Sequence, residues 1–231
     1  SGYFSYDSIR YLEKIPNSCK DDLKIPDVRL LRPRTLIIHD NLKKKIYYIK
    51  NIFNDEKIKN YKKRYDEIKN EVIDLSFQSQ IKNDENFFKY SPKKSIVKSN
   101  TSKNRFINMV IKAKKYIKIG DIFQVVLSQR FVSKLTKKPL EIYKKLRVTN
   151  PSPFMFFFNF HDFQIIGASP EILVRLRDNK ITIRPIAGTR PRGKTKNQDN
   201  FYMKDLLNDQ KELAEHLMLL DLGRNDAGKV S

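Results

Sequence analysis

The chain has 231 residues, with 47 Lys and Arg against 26 Asp and Glu, a formal net charge of +21. One cysteine, Cys19, excludes an internal disulfide and is consistent with a reducing cytoplasm. No apolar run reaches the roughly 18 residues of a membrane helix, and 15 Phe and 11 Tyr supply bulky material for a core.

The charge admits two readings. A nucleic-acid or acidic-surface binding module would use it directly. The lysines, however, are scattered and interleaved with Asp and Glu. Lys, Asn and Ile are abundant together, as AT-rich codons produce, and no recognition-helix, zinc-finger or RNP signature accompanies them. The compositional reading is preferred, and the binding module is the alternative from a different class. The chain opens SGYFSYD with no charged-then-apolar leader and stops at GKVS, so both ends look cut.

Residues 1–50 alternate short apolar runs with turn residues, and TLIIHDNLKKKIYYI reads as a β-hairpin turning near Asp40-Asn41. From Asp55 to about Leu75, Ile58, Tyr61, Tyr65, Ile68 and Val72 recur at helical spacing. Residues 76–104 are polar and read as a connector. A helix is expected over about 102–118, with Phe106, Met109, Val110, Ala113 and Ile117 buried and Gly120 ending it. DIFQVVLSQRFVSKL reads as a strand, and a short helix follows Pro139 with Leu140, Tyr143 and Leu146.

PFMFFFNF and FQIIGAS flank a turn at His161-Asp162; the run FMFFF suits a strand buried on both sides. EILVRLR pairs with KITIRPI across Asp178-Asn179. A last helix is expected over about 199–222, closed by Gly223, with Leu213, Leu217 and Leu220 as its buried stripe. Hairpin turns rather than βαβ crossovers predict an α+β fold: an antiparallel β-sheet sandwich with outer helices.

Chemistry concentrates between Arg184 and Asp226. Ala187-Gly188-Thr189 is a turn whose backbone a ligand can approach. Glu212 and Glu215 lie three apart, on one helical face. A polar turn beside two hard oxygen donors suits a small anionic substrate held through a divalent metal such as Mg²⁺. His216 points about 100° away from Glu215 around the helix and reads as structural. Arg190, Arg192 and Arg224 read as anion contacts or as scaffold partners of Asp205, Asp209 and Asp226, the latter preferred. His39, His161 and Cys19 have no catalytic context.

Five motifs together resemble the chorismate-utilising family, and most closely its anthranilate-forming branch. They are GDIFQVVLSQRF, NPSPFMF, GASPEILV, ITIRPIAGTRPRG and KELAEHLMLLDLGRND. SGYFSYDSIRYLE and PDVRLLRPRTLIIHD are similar to the region upstream of that family's catalytic core. The resemblance divides the chain into an N-terminal-region remnant (1–80), a connector (81–104) and the first part of a chorismate-binding domain (105–231).

It also assigns roles. The position of Glu215 ligates Mg²⁺, which holds the substrate carboxylate. That of Glu212 does acid–base work. Gly188 and Thr189, with Ala187, contact chorismate. Sister enzymes that add water, and the aminodeoxychorismate branch, resemble PIKGT, with lysine as base or nucleophile. A methyl at Ala187 can be neither, yet leaves room for ammonia, which is already nucleophilic. The resemblance therefore implies amination of chorismate, with ammonia supplied by a glutamine amidotransferase partner. Pro153, Phe154 and Met155 resemble part of a tryptophan feedback site, with Phe154 where the family usually has Tyr; from the residues alone they are a proline turn entering a core strand. The family continues past Ala227, so the fragment alone is expected to be inactive.

Overall fold

In a computed structural model of the chain, residues 1–53, 60–78 and 96–231 are described, with side chains at 76–78 excepted. Two compact units emerge, Ser1–Lys94 and Ser95–Ser231. Helices and antiparallel strand pairs alternate along both, so the fold is α+β. Among the described residues the strands form five two-stranded antiparallel sheets.

In the first unit, β1 (Gly2–Phe4) pairs with β2 (Val28–Leu30). The predicted hairpin forms as β3 (Thr35–Asp40) and β4 (Lys45–Lys50), in register from Thr35↔Lys50 to Asp40↔Lys45. Asp40 starts its turn: one carboxylate oxygen accepts the N–H groups of Leu42 (3.0 Å) and Lys43 (2.9 Å). Helix α1 (Tyr61–Gln78) packs on β4 and buries Ile68. Lys50 pairs with Glu71, and that bond above all holds the Glu71 carboxyl below its ordinary range. Tyr61 and Tyr65, expected inside, are exposed. The expected start at Asp55, with Ile58, lies outside the described residues.

In the second unit, β5 (Val97–Ser99) pairs with β6 (Phe131–Ser133), so the expected connector contains a strand. Helix α2 (Lys103–Lys118) lies between them, begun by the Ser102 hydroxyl, which accepts the Arg105 N–H. Gly120 follows it at φ +84°. Of the stripe expected in α2, Ala113 is buried while Val110 and Ile117 are exposed. The strand expected over 121–135 shrinks to β6. Residues 122–130 have no regular structure, because β5 offers a ladder only three residues long.

Helix α3 (Pro139–Thr149) starts at its proline, as expected. It packs against the hairpin of β7 (Phe154–Asn159) and β8 (Gln164–Ser169), where Tyr143 and Phe157 rings lie 5.9 Å apart. In β7, Phe156, Phe157 and Phe158 are half-buried rather than enclosed on both sides and Phe154 is exposed; full burial falls to Phe160, 2% exposed. β9 (Arg175–Arg177) pairs with β10 (Lys180–Thr182) around Asp178 (φ +49°) and Asn179 (φ +57°). Positive φ at both central residues matches the right-handed twist of the flanking strands.

The single C-terminal helix of the sequence reading is two helices, α4 (Lys196–Asn208) and α5 (Gln210–Gly228). Asp209 breaks them with extended ψ (108°) and caps the second, its side chain accepting the N–H groups of Lys211 and Glu212. Gly223 does not close the helix. It lies within α5, where a Cβ would stand 3.0 Å from Ile183 Cγ2, so the glycine admits that side chain.

Candidate active site

The face that α5 turns inward is not the leucine stripe. Leu213, Leu217 and Leu220 are 42%, 54% and 50% exposed, whereas Glu212, Glu215, His216, Leu219 and Gly223 are half-buried. The expectation that the leucines are buried is overturned: the inward face carries the two carboxylates. Asp209 caps the first turn of this helix, accepting the Lys211 and Glu212 amides.

Gly188 takes φ +56°, a conformation that side chains disfavour. A Cβ there would lie 2.7 Å from Glu212 Oε2, 3.0 Å from Leu206 Cδ1 and 3.1 Å from Glu212 Cβ. The structure thus brings Gly188 and Glu212 together, with Ala187 and Thr189 on either side of the glycine. Glu215, one turn on, accepts a long hydrogen bond from Gln124 Nε2, 3.4 Å.

Polar contacts hold this bend. Arg190 Nε donates to Asp205 Oδ2 (2.5 Å), Nη2 to Asp209 Oδ2 (2.6 Å) and Nη1 to the Thr189 carbonyl (3.2 Å). Asp209 Oδ1 accepts from Lys211 N (3.0 Å) and Glu212 N (3.2 Å). The Arg190 guanidinium, then the Glu212 N–H, pulls the Asp209 carboxyl below its ordinary range; Asp205 and Asp209 in turn raise Arg190. Further along, Asp199 accepts the Gly193 N–H (2.9 Å) and a two-pronged contact from Arg192 (2.9 and 2.6 Å). The Gly193 N–H is the larger cause of its lowered pKa. These arginines are scaffold, as preferred from sequence, although Arg192 pairs with Asp199 and Arg224 with Asp221 rather than with the expected aspartates.

Two polar residues near the bend were assigned no role from sequence. Gln124 comes from a segment 91 positions before Glu215. Glu171 Oε1 accepts the Ile186 N–H (2.8 Å), beside Ala187. The only sequence signals were their places inside GDIFQVV and GASPE. Past Glu215, the inner face of α5 turns apolar. Leu219, Leu222 and Gly223, with Ile181, Ile183 and Ile186, line an open cavity of about 730 Å³.

Pro153, Phe154 and Met155 enter β7, in register with β8 at Phe154↔Ser169 and Met155↔Ala168. Phe154 is 46% exposed and Met155 half-buried. Among the described residues no group of three or more His, Cys, Asp and Glu side chains is placed to hold a metal ion. The oxygen donors on this face of α5 are the half-buried carboxylates of Glu212 and Glu215, and one or two carboxylates with water is the set Mg²⁺ commonly takes from a protein. No described helix is long and apolar enough to cross a membrane.

Comparison with known proteins covers the whole chain. The family model for chorismate binding enzymes matches residues 1–231. Anthranilate synthase component 1 of Acetivibrio thermocellus is 45% identical over 236 residues, covering all of this chain and 47% of that protein. The chloroplastic anthranilate synthase alpha subunit 2 of Arabidopsis thaliana is 41% identical over 242 residues, covering all of this chain and 39% of that protein. The crystal structure of anthranilate synthase component I from Streptococcus pneumoniae TIGR4 matches with a TM-score of 0.85 at 35% identity, over all of this chain and 49% of that one. The chain spans about half the length of the bacterial relatives it matches.

Proposed function

The chain belongs to the chorismate binding enzyme family, and from that premise we propose that it is part of the aminase component of an anthranilate synthase, acting in tryptophan biosynthesis. The overall reaction takes chorismate and ammonia to anthranilate, pyruvate and water. Ammonia forms a C–N bond to the ring, the ring hydroxyl leaves as water, and pyruvate is then eliminated.

The observation that carries this reading is the approach of Glu212 to Gly188. The glycine admits the Glu212 side chain against the backbone, and the neighbouring Thr189 hydroxyl is the proposed donor to the substrate carboxylate. Glu212 is the proposed acid for the departing hydroxyl, a service worth about 10²–10⁴ in rate. Ala187 supplies neither base nor nucleophile, which favours ammonia over the lysine chemistry of sister enzymes. Glu215 is the proposed Mg²⁺ ligand; when bound, the ion neutralises the substrate carboxylate. Gln124, hydrogen-bonded to Glu215, orients that carboxylate.

The remaining assignments belong to the same reading. Ammonia comes from a glutamine amidotransferase subunit, anthranilate synthase component II. Residues 105–231 form the first part of the chorismate-binding domain, and 1–80 a remnant of the region before it. In the longer protein the two-stranded pairs join the layers of an antiparallel sandwich. Pro153, Phe154 and Met155 form part of a tryptophan site, with Phe154 contributing a ring but no hydroxyl. The exposed free thiol of Cys19 suits a reducing cytoplasm. The fragment alone is taken to be inactive, since it spans only about half the length of the bacterial relatives it matches.

The test is to incubate the longer protein containing this chain with chorismate, Mg²⁺ and ammonium and identify the product by mass. Anthranilate is expected. Isochorismate or aminodeoxychorismate would move the assignment to a sister enzyme.

A further inference from the structure

Arg190 stands one residue from the proposed substrate contact, yet its guanidinium is turned to protein acceptors. It spans three of them: the Thr189 carbonyl on its own segment, Asp205 in α4, and Asp209 at the break before α5. All three guanidinium nitrogens are engaged, and the side chain is 23% exposed. Arg192, by contrast, is 89% exposed and tied to Asp199 alone among the contacts described above.

Asp209 divides its two oxygens. Oδ2 receives Arg190, and Oδ1 receives the backbone N–H of Glu212 itself. An unbroken path of directional bonds therefore runs from the Gly188–Thr189 bend, through Arg190 and Asp209, to the residue whose carboxylate sits against Gly188. Of the three atoms nearest a Cβ built at Gly188, two belong to Glu212 and one to the apolar Leu206. We propose that Arg190 is a positioning residue that sets the separation between the Gly188–Thr189 bend and the Glu212 carboxylate, acting through Asp209 without touching substrate. This rests on the proposed acid role of Glu212.

Lysine cannot take over the task. Its ammonium is a single point of charge, and it cannot present a planar fork to two carboxylates and a carbonyl at once. Arg190→Lys keeps the charge, so the variant isolates the fork.

The experiment is a double-mutant cycle in the longer protein, with Arg190→Lys, Glu212→Gln and the pair assayed for anthranilate. Arg190→Lys should lower kcat about 10- to 100-fold, the scale of a misplacement of about 1 Å, with KM changed less than about threefold. In the Glu212→Gln background the same change should lower kcat less than about threefold, because the group it positions is gone. Losses that multiply would overturn the proposal. A second measurement needs no activity: hydrogen exchange should quicken at the Lys211 and Glu212 amides in Arg190→Lys, and stay constant at the Arg105 amide, which Ser102 caps. Unchanged protection at 211 and 212 would also overturn it. A wild-type protein that makes no anthranilate would sink the functional reading, while the exchange result still decides the positioning.

Discussion

Substituting Gly188 by alanine tests the close approach on which the site depends. At φ +56° the added Cβ meets a left-handed backbone strain of about 1–2 kcal/mol. It also enters occupied space, 2.7 Å from Glu212 Oε2, 3.0 Å from Leu206 Cδ1 and 3.1 Å from Glu212 Cβ. The carboxylate tip can swing away, but Glu212 Cβ belongs to a helix whose first turn is capped, so relief there requires α5 to shift. Overpacking of this kind costs about 1–3 kcal/mol, for a total of about 2–5 kcal/mol. Gly120 is the internal control: its φ is +84° with nothing within 4 Å of a built Cβ, so Gly120→Ala carries the backbone term alone, about 1–2 kcal/mol. Equilibrium urea unfolding of both variants isolates the contact term as their difference. Anthranilate formation in Gly188→Ala should fall by about 10² or more, because the carboxylate is driven off the bend. Equal destabilisation of the two variants, with activity retained in Gly188→Ala, would refute the close approach.

Three other perturbations have definite outcomes. Glu215→Gln in the longer protein should abolish Mg²⁺-dependent turnover, measured with chorismate and ammonium; retained turnover would remove Glu215 as ligand. Ser102→Ala should destabilise α2 by about 1 kcal/mol through loss of its capping bond to Arg105, read by thermal or urea unfolding. Asp209 and Asp199 have folded pKa values below their unfolded ones, so their stabilisation is complete above the ordinary Asp value of about 3.9 and is lost as pH falls through the lowered values. Arg190→Gln should therefore flatten the acid limb of stability against pH below about pH 4, and an unchanged limb would show that Arg190 does not depress Asp209.

Where a few adjacent residues decide the geometry, the sequence was readable. Asp178, Asn179 and His161 take the positive φ that a tight turn demands, and Pro139 opens α3 because its missing N–H is no loss there. The break at Asp209 was missed because leucines continue on both sides at helical spacing. The signal was present: Asp209 three residues before Glu212 is the spacing of a capping box, although only the Asp side of the exchange forms. The span 122–130 failed for the opposite reason. Its alternation suits a strand, but strand structure needs a partner, and β5 reaches only Phe131–Ser133. Gln124 and Glu171 were invisible as site neighbours, since their contacts join segments 91 and 15 positions apart.

The site region does not inherit its geometry from a hydrophobic core. Among the described residues only Ile68, Ala113 and Phe160 are buried, and none lies between Arg184 and Asp226. What fixes the bend is directional: a glycine that admits a carboxylate, an arginine fork across two aspartates, and a cap whose donors include the catalytic candidate's own amide. Such contacts depend on angle as well as distance, so they set a register that packing by exposed leucines could not. They also act within about 25 residues of sequence, from Gly188 to Glu212, so the bend and the carboxylate can find each other without waiting for distant strands to pair. An arrangement built this way is robust to polar changes on the leucine face of α5, yet vulnerable at any one of Gly188, Arg190 and Asp209, because among the described residues no fully buried side chain lies between Arg184 and Asp226 to restore the register once a bond is lost.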